Sequence, residues 1–440
     1  MFAGVGFAIF ALDEMLIDII WLARTGWRRI FVYSKHTATT SATIRESSET
    51  GRLAIFVPAW DESVVIAETV SHALRTYGDQ AYDIFVGCYP NDPATLGAVD
   101  RIASPLVQQV ICKMPGPTTK ADCLNQIWLA AANFPAHKYK GIVLHDAEDI
   151  VSSAELKIFD VMLDRFDLVQ LPVVPFTDRD SRFIAGHYCD EFAEAHGKTM
   201  IVRECLGAGI PSAGVGCAIR WSALEALAAA NGGVPFDVGS LTEDYELGIN
   251  LRAAGLKTVF VRIPTTDAPG VVATQAHFPA TLDTAVRQKT RWVLGIALAG
   301  WDRLGWGGSV GENWMRLRDR RAVVAAILLL AGYLAIILYA LVLVVDYILG
   351  TDGSLFSPIF VKILTFNAAA LIWRCIVRGY FVCRIYGAGE ALLSVIRLPI
   401  SNVIAMMAAR RAVLQYVTYL SVGTLRWDKT AHRIPDGLGG

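Results

Sequence analysis

From residue 53 onward the chain alternates short apolar runs with amphipathic stretches. The runs 53–58, 82–88, 107–113, 141–145 and 168–174 are rich in Val, Ile, Leu, Phe and Tyr. Runs of that length and content predict short strands buried on both faces. Helical patterns fall near 64–76, 93–103 and 119–132, between the runs. Strand and helix alternating to about Arg262 predict an α/β domain on a mixed, mostly parallel sheet. In such sheets ligands bind beyond the carboxyl ends of the strands. Trp60-Asp61-Glu62, Asn91-Asp92 and Asp146-Ala147-Glu148 all fall at those ends.

Longer apolar segments frame this domain. Residues 2–23, 322–349 and 358–385 are long enough to span a bilayer. The first lacks the basic leader of a signal peptide and carries Asp13, Glu14 and Asp18. Arg24, Arg28, Arg29 and Lys35 follow it, and Arg316, Arg318, Arg320 and Arg321 precede the second, whereas 350–357 has no Lys or Arg. The positive-inside rule then puts 24–321 and the C-terminus in the cytoplasm of an inner, multi-pass membrane protein. Charges inside spans need partners, so Asp13, Glu14 and Asp18 are expected to pair with Arg374 and Arg378, with Asp18–Arg378 as the pair to test by charge exchange. Either helix glue or a polar lining for a glycan would use such pairs. Residues 386–424 are apolar but interrupted by Arg397, Pro399, Arg410 and Arg411. They read as an amphipathic helix in the membrane interface with snorkelling arginines, or else as further short spans. The expected organisation is thus 1–35 membrane helix and basic flank, 36–51 polar linker, 52–279 cytoplasmic domain and 280–321 interfacial helices with nearby tryptophans. Two spans over 322–385, the interfacial helix 386–424 and a terminal loop over 425–440 complete it.

Composition changes little in this picture. The chain is 54% apolar, with a net charge of −1 and a mean hydropathy of +0.41. No global field favours nucleic acid. The eight cysteines lack Cys-x-x-Cys spacing, which argues against a zinc site or a disulfide framework and for a reduced, cytosol-facing domain. No Gly-x-Gly-x-x-Gly follows the first strand, and no Gly-Lys-Ser/Thr phosphate loop occurs.

The polar clusters suit one chemistry, release of a glycosyl group from a nucleotide diphosphate. The leaving diphosphate must be neutralised, the acceptor hydroxyl must lose a proton, and water must be kept out. Mg2+ or Mn2+ would serve the first need and takes oxygen ligands. Asp146 and Glu148 flank one alanine just past a strand and can both turn to one ion, with Asp149 a substitute for either. A solvated acidic turn is the alternative. Asp244, beside Glu243 at an expected helix start capped by Thr242, is the candidate general base. Compensation of the helix dipole is the alternative there. Gln288, Arg291 and Trp292 share one helix face. The guanidinium fork fits phosphate oxygens, and the indole offers a face to a sugar, although a membrane-surface helix uses the same residues. Lys120 either reaches the donor or is a surface lysine. Gly214-Val215-Gly216 reads as a tight turn, with or without a substrate beside it.

In order along the chain, 57–62 (Val-Pro-Ala-Trp-Asp-Glu), Asn91-Asp92, Lys120, Asp146-x-Glu148, Thr242-Glu243-Asp244 and Gln288-x-x-Arg291-Trp292 resemble the membrane-bound family 2 glycosyltransferases, cellulose and hyaluronan synthases among them. His-Asp-Ala-Glu-Asp (145–149), Arg-Gln-Lys-Thr-Arg-Trp-Val-Leu-Gly (287–295) and Trp-Asp-Lys-Thr-Ala-His (427–432) are similar to the glycosyltransferase part of the bacteriophage adsorption protein B family. The likeness runs over nearly the whole chain. It implies a GT-A-like nucleotide-diphosphosugar transferase fold and an inverting transfer of a hexose or N-acetylhexosamine. By position, Pro58, Trp60, Glu62, Asp92, Lys120 and Asp146 would hold the donor nucleotide. Asp146 and Glu148 would hold the metal, and Asp244 with Glu243 would be catalytic. Gln288, Arg291 and Trp292 would line the acceptor and diphosphate site. Glu148 stands where the family has Asp, so Glu148 and Asp149 both stay open as the second ligand. Lys429 and His432 would belong to a loop closing over the donor. With the chain ending at 440, control through the regulatory extension of the adsorption proteins is not expected.

The expected partners are a nucleotide-diphosphosugar (UDP-linked), a glycan or lipid-linked acceptor and membrane lipids, with a homo-oligomer or export partner to widen a channel. A non-processive transferase to a lipid-linked acceptor and a non-catalytic membrane receptor or scaffold are the rival readings. Product length separates the first rival, and metal-dependent release of nucleotide excludes the second.

Overall fold

The computed structural model describes residues 1–266, 270–350 and 356–422. Its central sheet is built from β1 (Arg52–Pro58), β2 (Tyr82–Cys88), β3 (Val107–Ile111), β4 (Tyr139–Leu144), β5 (Leu168–Gln170), β7 (Cys217–Arg220) and β8 (Thr258–Phe260). The order is β3-β2-β1-β4-β7-β5-β8. All pairings are parallel except those of β7, which runs antiparallel to both β4 and β5. β6 (Val173–Pro175) and β9 (Thr274–Ala276) form a separate parallel pair. The mixed, mostly parallel sheet expected from the apolar runs is therefore present.

Burial on both faces explains why these runs are continuous rather than alternating. Along β1, Leu53, Ile55 and Val57 join the core on one face, under the helices Ile66–Tyr77 and Glu155–Met162. Ala54 and Phe56 join the core on the other, under Lys120–Ala132 and Trp221–Ala230. The run 168–174 departs from expectation, because it is two strands in different sheets. Pro172 lies between them and has no N–H to continue a ladder.

Three helices are long and apolar enough to cross a membrane, Ala322–Leu349, Pro358–Tyr386 and Ala388–Ser421. The last differs from the interfacial helix expected over 386–424. Its Arg397 does not snorkel, for the guanidinium is fully buried against Asp190 and Glu390. The N-terminal helix Phe2–Phe31 is not among the three, since Asp13, Glu14 and Asp18 interrupt its apolar run. Close packing joins it to the others. A Cβ on Gly6 would meet Leu328, and one on Gly4 would meet Phe360.

The acidic groups of this helix find the expected partners only in part. Asp18 bonds Lys198 at 2.6 Å and Trp373 Nε1 at 2.8 Å. Arg378 instead pairs with Glu194 at 3.1 Å. Glu14 does pair with Arg374, at 3.3 Å, and with Arg318 at 2.9 Å. Lys198 and Glu194 belong to the sheet domain, on a helix that runs from Ile184–Glu194 through a wider turn at Ala195–Thr199 into Met200–Cys205. The buried ion network thus fastens the sheet domain to the long apolar helices.

Candidate active site

The carboxyl end of β4 leads into His145 and the acidic turn. Asp149 is almost wholly buried, and its Oδ2 accepts the backbone N–H of Asp146 at 2.8 Å and faces His145 Nδ1 at 3.2 Å. His145 Nε2 lies 2.9 Å from Glu155, and Tyr77 Oη is 3.3 Å away. Burial opposes a charged imidazole here, but Glu155 and Asp149 raise its pKa to about 10. This buried cluster lies beneath the turn, and Asp149 is turned into it. Asp146 stays partly exposed, while Glu148 is buried.

Asp146 keeps 33% of its side chain exposed and bonds Lys120 Nζ at 2.5 Å. Lys120 opens its helix under Thr119, whose hydroxyl caps the backbone N–H of Asp122. Its ammonium also points at the carbonyl of Gly214, 3.4 Å away. Gly214 has φ +76°, and a Cβ there would lie 2.5 Å from Asp244 Oδ2. The Gly-Val-Gly turn is thus wedged between Lys120 and the candidate base, and glycine at 214 is required by both the backbone and the contact.

Asp244 reaches this point because the helix Glu243–Ala253 abuts the 210–212 backbone. A Cβ on its Gly248 would meet Ile210 O at 2.1 Å. Thr242 is the N-cap residue but makes no side-chain cap, contrary to expectation. Its side chain packs on Gly295 instead. That contact brings the segment after the helix Leu282–Trp292 onto the start of the Asp244 helix.

Charge ties these elements into one cluster. Burial pushes Glu243 up to about 7, with Asp244 adding and Lys120 and Arg291 opposing. Burial likewise raises Asp244 against Lys120 and Arg291, with Asp146 adding to the rise. Burial disfavours the Lys120 ammonium, yet Asp146, Glu243 and Asp244 hold its pKa above the usual lysine value. Lys120, Asp146, Glu243, Asp244 and Arg291 therefore share one electrostatic neighbourhood. Buried carboxyls raised above their usual values beside fixed cations are candidates for proton transfer.

The other sequence candidates take varied positions. Asp92 caps the helix Pro93–Asp100 through Thr95 N and holds Asp61 N at 2.6 Å. Pro58 ends β1, and Glu62 N bonds Thr95 Oγ1. Trp60 packs edge-on to Tyr89 and over Gly116. These residues occupy the strand ends next to β4. Gln288 has its Oε1 buried with no hydrogen-bond partner among the described residues. Trp292 is enclosed by Tyr188 and Phe192, with Lys289 over its ring, so less of its face is open than expected. Lys429 and His432 lie outside the described residues. His145 and Glu155 carried no role in the sequence reading, and a histidine directly after a buried apolar strand was the available signal.

No cluster of three or more His, Cys, Asp or Glu side chains among the described residues forms a metal cage. A Mg2+-type ion in such enzymes takes one or two carboxylates and completes its shell with substrate phosphates and water. Asp146, partly exposed at a strand end with Glu148 two residues on, fits that requirement.

Comparison with known proteins shows the family. A family model described as "Glycosyltransferase like family 2" matches residues 50–295, over half of the chain. Bacteriophage adsorption protein B of Escherichia coli K12 and bacteriophage N4 adsorption protein B of Escherichia coli O157:H7 are each 37% identical over 98% of the chain. The chain spans 61% of the length of these relatives. Among solved structures, a mannosyltransferase from Pyrobaculum calidifontis in complex with GDP-Man and Mn2+ superposes with a TM-score of 0.51. It is 16% identical, and the match covers 89% of this chain and 98% of that one, a likeness of GT-A-like fold. Motif order, fold and family match lead to the same conclusion: the chain belongs to glycosyltransferase family 2.

Proposed function

We propose that this glycosyltransferase is embedded in the inner membrane with its catalytic domain in the cytoplasm, and that it moves a sugar from a UDP-linked donor to a growing glycan with inversion. The observation that carries the reading is the Gly214 turn held between Asp244 and Lys120, itself bonded to Asp146, with Glu243 and Arg291 in electrostatic reach. In one displacement the Asp244 carboxylate takes the proton of the acceptor hydroxyl. The hydroxyl oxygen bonds the anomeric carbon from the face opposite the diphosphate. The bond from that carbon to the phosphate oxygen breaks, and its electron pair leaves with the nucleoside diphosphate. Lys120 and Arg291 offset the negative charge that accumulates on the leaving group. Mg2+ or Mn2+ held by Asp146 and Glu148 would supply further neutralisation of that group. Trp60 and Asp92 at the adjoining strand ends face the nucleotide, and Gln288 and Trp292 flank the acceptor. The three apolar helices and the ion-paired N-terminal helix anchor this cleft at the bilayer, which suits an acceptor or product that is lipid-bound or exported.

Purified protein given a panel of UDP-, GDP- and CDP-sugars, scored for nucleotide release and product size, tests the reading. UDP-sugar turnover is expected, and Asp244→Asn should bind nucleotide yet turn over about 10²–10⁴-fold more slowly. Asp244→Asn turnover within a few-fold of the unaltered protein would remove Asp244 as the base.

A further inference from the structure

Gln170 closes β5 and is completely buried, an unusual position for a polar side chain. All of its hydrogen-bonding capacity is directed at one short stretch and its own neighbour. Oε1 accepts the N–H of Ala213 at 2.8 Å. Nε2 donates to the carbonyl of Val215 at 2.9 Å, to that of Gly216 at 3.2 Å and to that of Leu171 at 2.8 Å. The amide therefore grips the Ala213–Gly216 turn from both ends. Two backbone bonds continue the link. Gly216 N–H donates to Leu144 O at 3.0 Å, at the last residue of β4, and Leu171 N–H donates to Gly216 O at 2.9 Å. What the turn presents outward is the carbonyl facing Lys120 and the bare Cα against Asp244.

We infer that Gln170 is a positioning residue for transfer. It holds the Gly214 turn at the one depth that seats Asp244 and Lys120 together, while touching neither donor nor acceptor itself. This rests on the reading of Asp244 as the base. An apolar residue of equal size would fill the space but leave the turn free to shift. A displacement of about 1 Å at a reacting group costs on the order of 10²-fold in rate.

The test uses the full-length protein in detergent, with kcat, donor KM, UDP affinity and thermal midpoint measured together. Gln170→Met keeps the volume and removes every bond. Gln170→Glu keeps an acceptor for Ala213 N–H and loses the donors. Both should lower kcat about 10–10²-fold while UDP affinity falls by less, since Lys120 keeps its bond to Asp146 and Trp60 and Asp92 lie at other strand ends. Loss of UDP affinity in step with kcat, or kcat within twofold of the unaltered protein, would overturn the inference. If neither variant folds, Gly214→Ala decides on the turn, because a Cβ there must displace either the turn or Asp244. Normal kcat in that variant would refute positioning through this turn. Asp244→Asn run in parallel separates the two ideas. An inactive Asp244→Asn with normal Gln170 variants rejects only the role of Gln170, whereas an active Asp244→Asn rejects the base itself.

Discussion

Glu243→Gln isolates the cost of crowding two carboxyls beside Lys120. Folding raises the Glu243 pKa from 4.5 to about 7, by burial first and by the like charge of Asp244 second. A group whose folded pKa is raised stabilises the fold while it is protonated, and that contribution is lost as pH rises through the folded value. The rise corresponds to roughly 3 kcal/mol, at about 1.4 kcal/mol per tenfold change in proton affinity. Between about pH 4.5 and pH 7 the unaltered protein should therefore lose more stability than Glu243→Gln, in which the other raised carboxyls remain. At pH 8 the variant should be the more stable by up to about 3 kcal/mol, read as a higher thermal midpoint in detergent.

The same substitution separates the two carboxyls in catalysis. With a neutral amide at 243, Asp244 keeps the burial and the Lys120, Arg291 and Asp146 charges that set its own proton affinity. The acid limb of the kcat/KM profile should therefore stay in place, with turnover retained above it. An unchanged midpoint at pH 8 would refute the raised Glu243 carboxyl, and a displaced acid limb would refute the assignment of that limb to Asp244. Loss of turnover at every pH would transfer the base role to Glu243.

Two further outcomes follow from the geometry. Chelation by EDTA should stop nucleotide release and Mn2+ or Mg2+ should restore it; full activity in EDTA would leave charge neutralisation to Lys120 and Arg291 alone. Lys198→Met strips the cation from Asp18 and Glu194 and should cost about 3–5 kcal/mol, seen as a lower thermal midpoint. Adding Asp18→Asn should recover much of that loss, and a midpoint unmoved by Lys198→Met would refute the buried network.

What was legible in the sequence follows from what sequence records. β1, β2 and β4 were readable because burial on both faces leaves long uninterrupted apolar runs, whereas β3 is a partly exposed edge strand interrupted by Gln108 and Gln109. β7, β8 and β9 have three or four residues each, too few to show a period. Asp146, Asp244 and Arg291 could be picked out because their chemistry is specific and their order is fixed. Asp18 was assigned the wrong partner because Lys198 sits 180 positions away in the sheet domain, and a reading confined to apolar segments weighs only charges within them. Gln170 escaped notice because a single amide in an apolar strand looks like an interruption until the carbonyls around it are seen.

The helix Leu282–Trp292 shows why membrane and catalytic parts are not separable modules. Arg291 acts on Glu243 and Asp244, while the same helix packs onto the last membrane helix. Thr290 Oγ1 donates to Ala408 O at 3.4 Å, and Trp292 joins Tyr188, Ile400 and Ile404 in one apolar cluster. The last membrane helix is in turn locked to the sheet domain by Arg397, whose guanidinium bonds both oxygens of Asp190 and one of Glu390. Breaking such a buried pair from one side is strongly destabilising, so the helix cannot drift while Arg397 is in place. Arg291 is thereby fixed between a sheet that carries the acids and a helix long enough to sit in the bilayer. On the proposal that Asp244 is the base, the position of the bilayer-length helix is thus an input to the geometry of proton transfer.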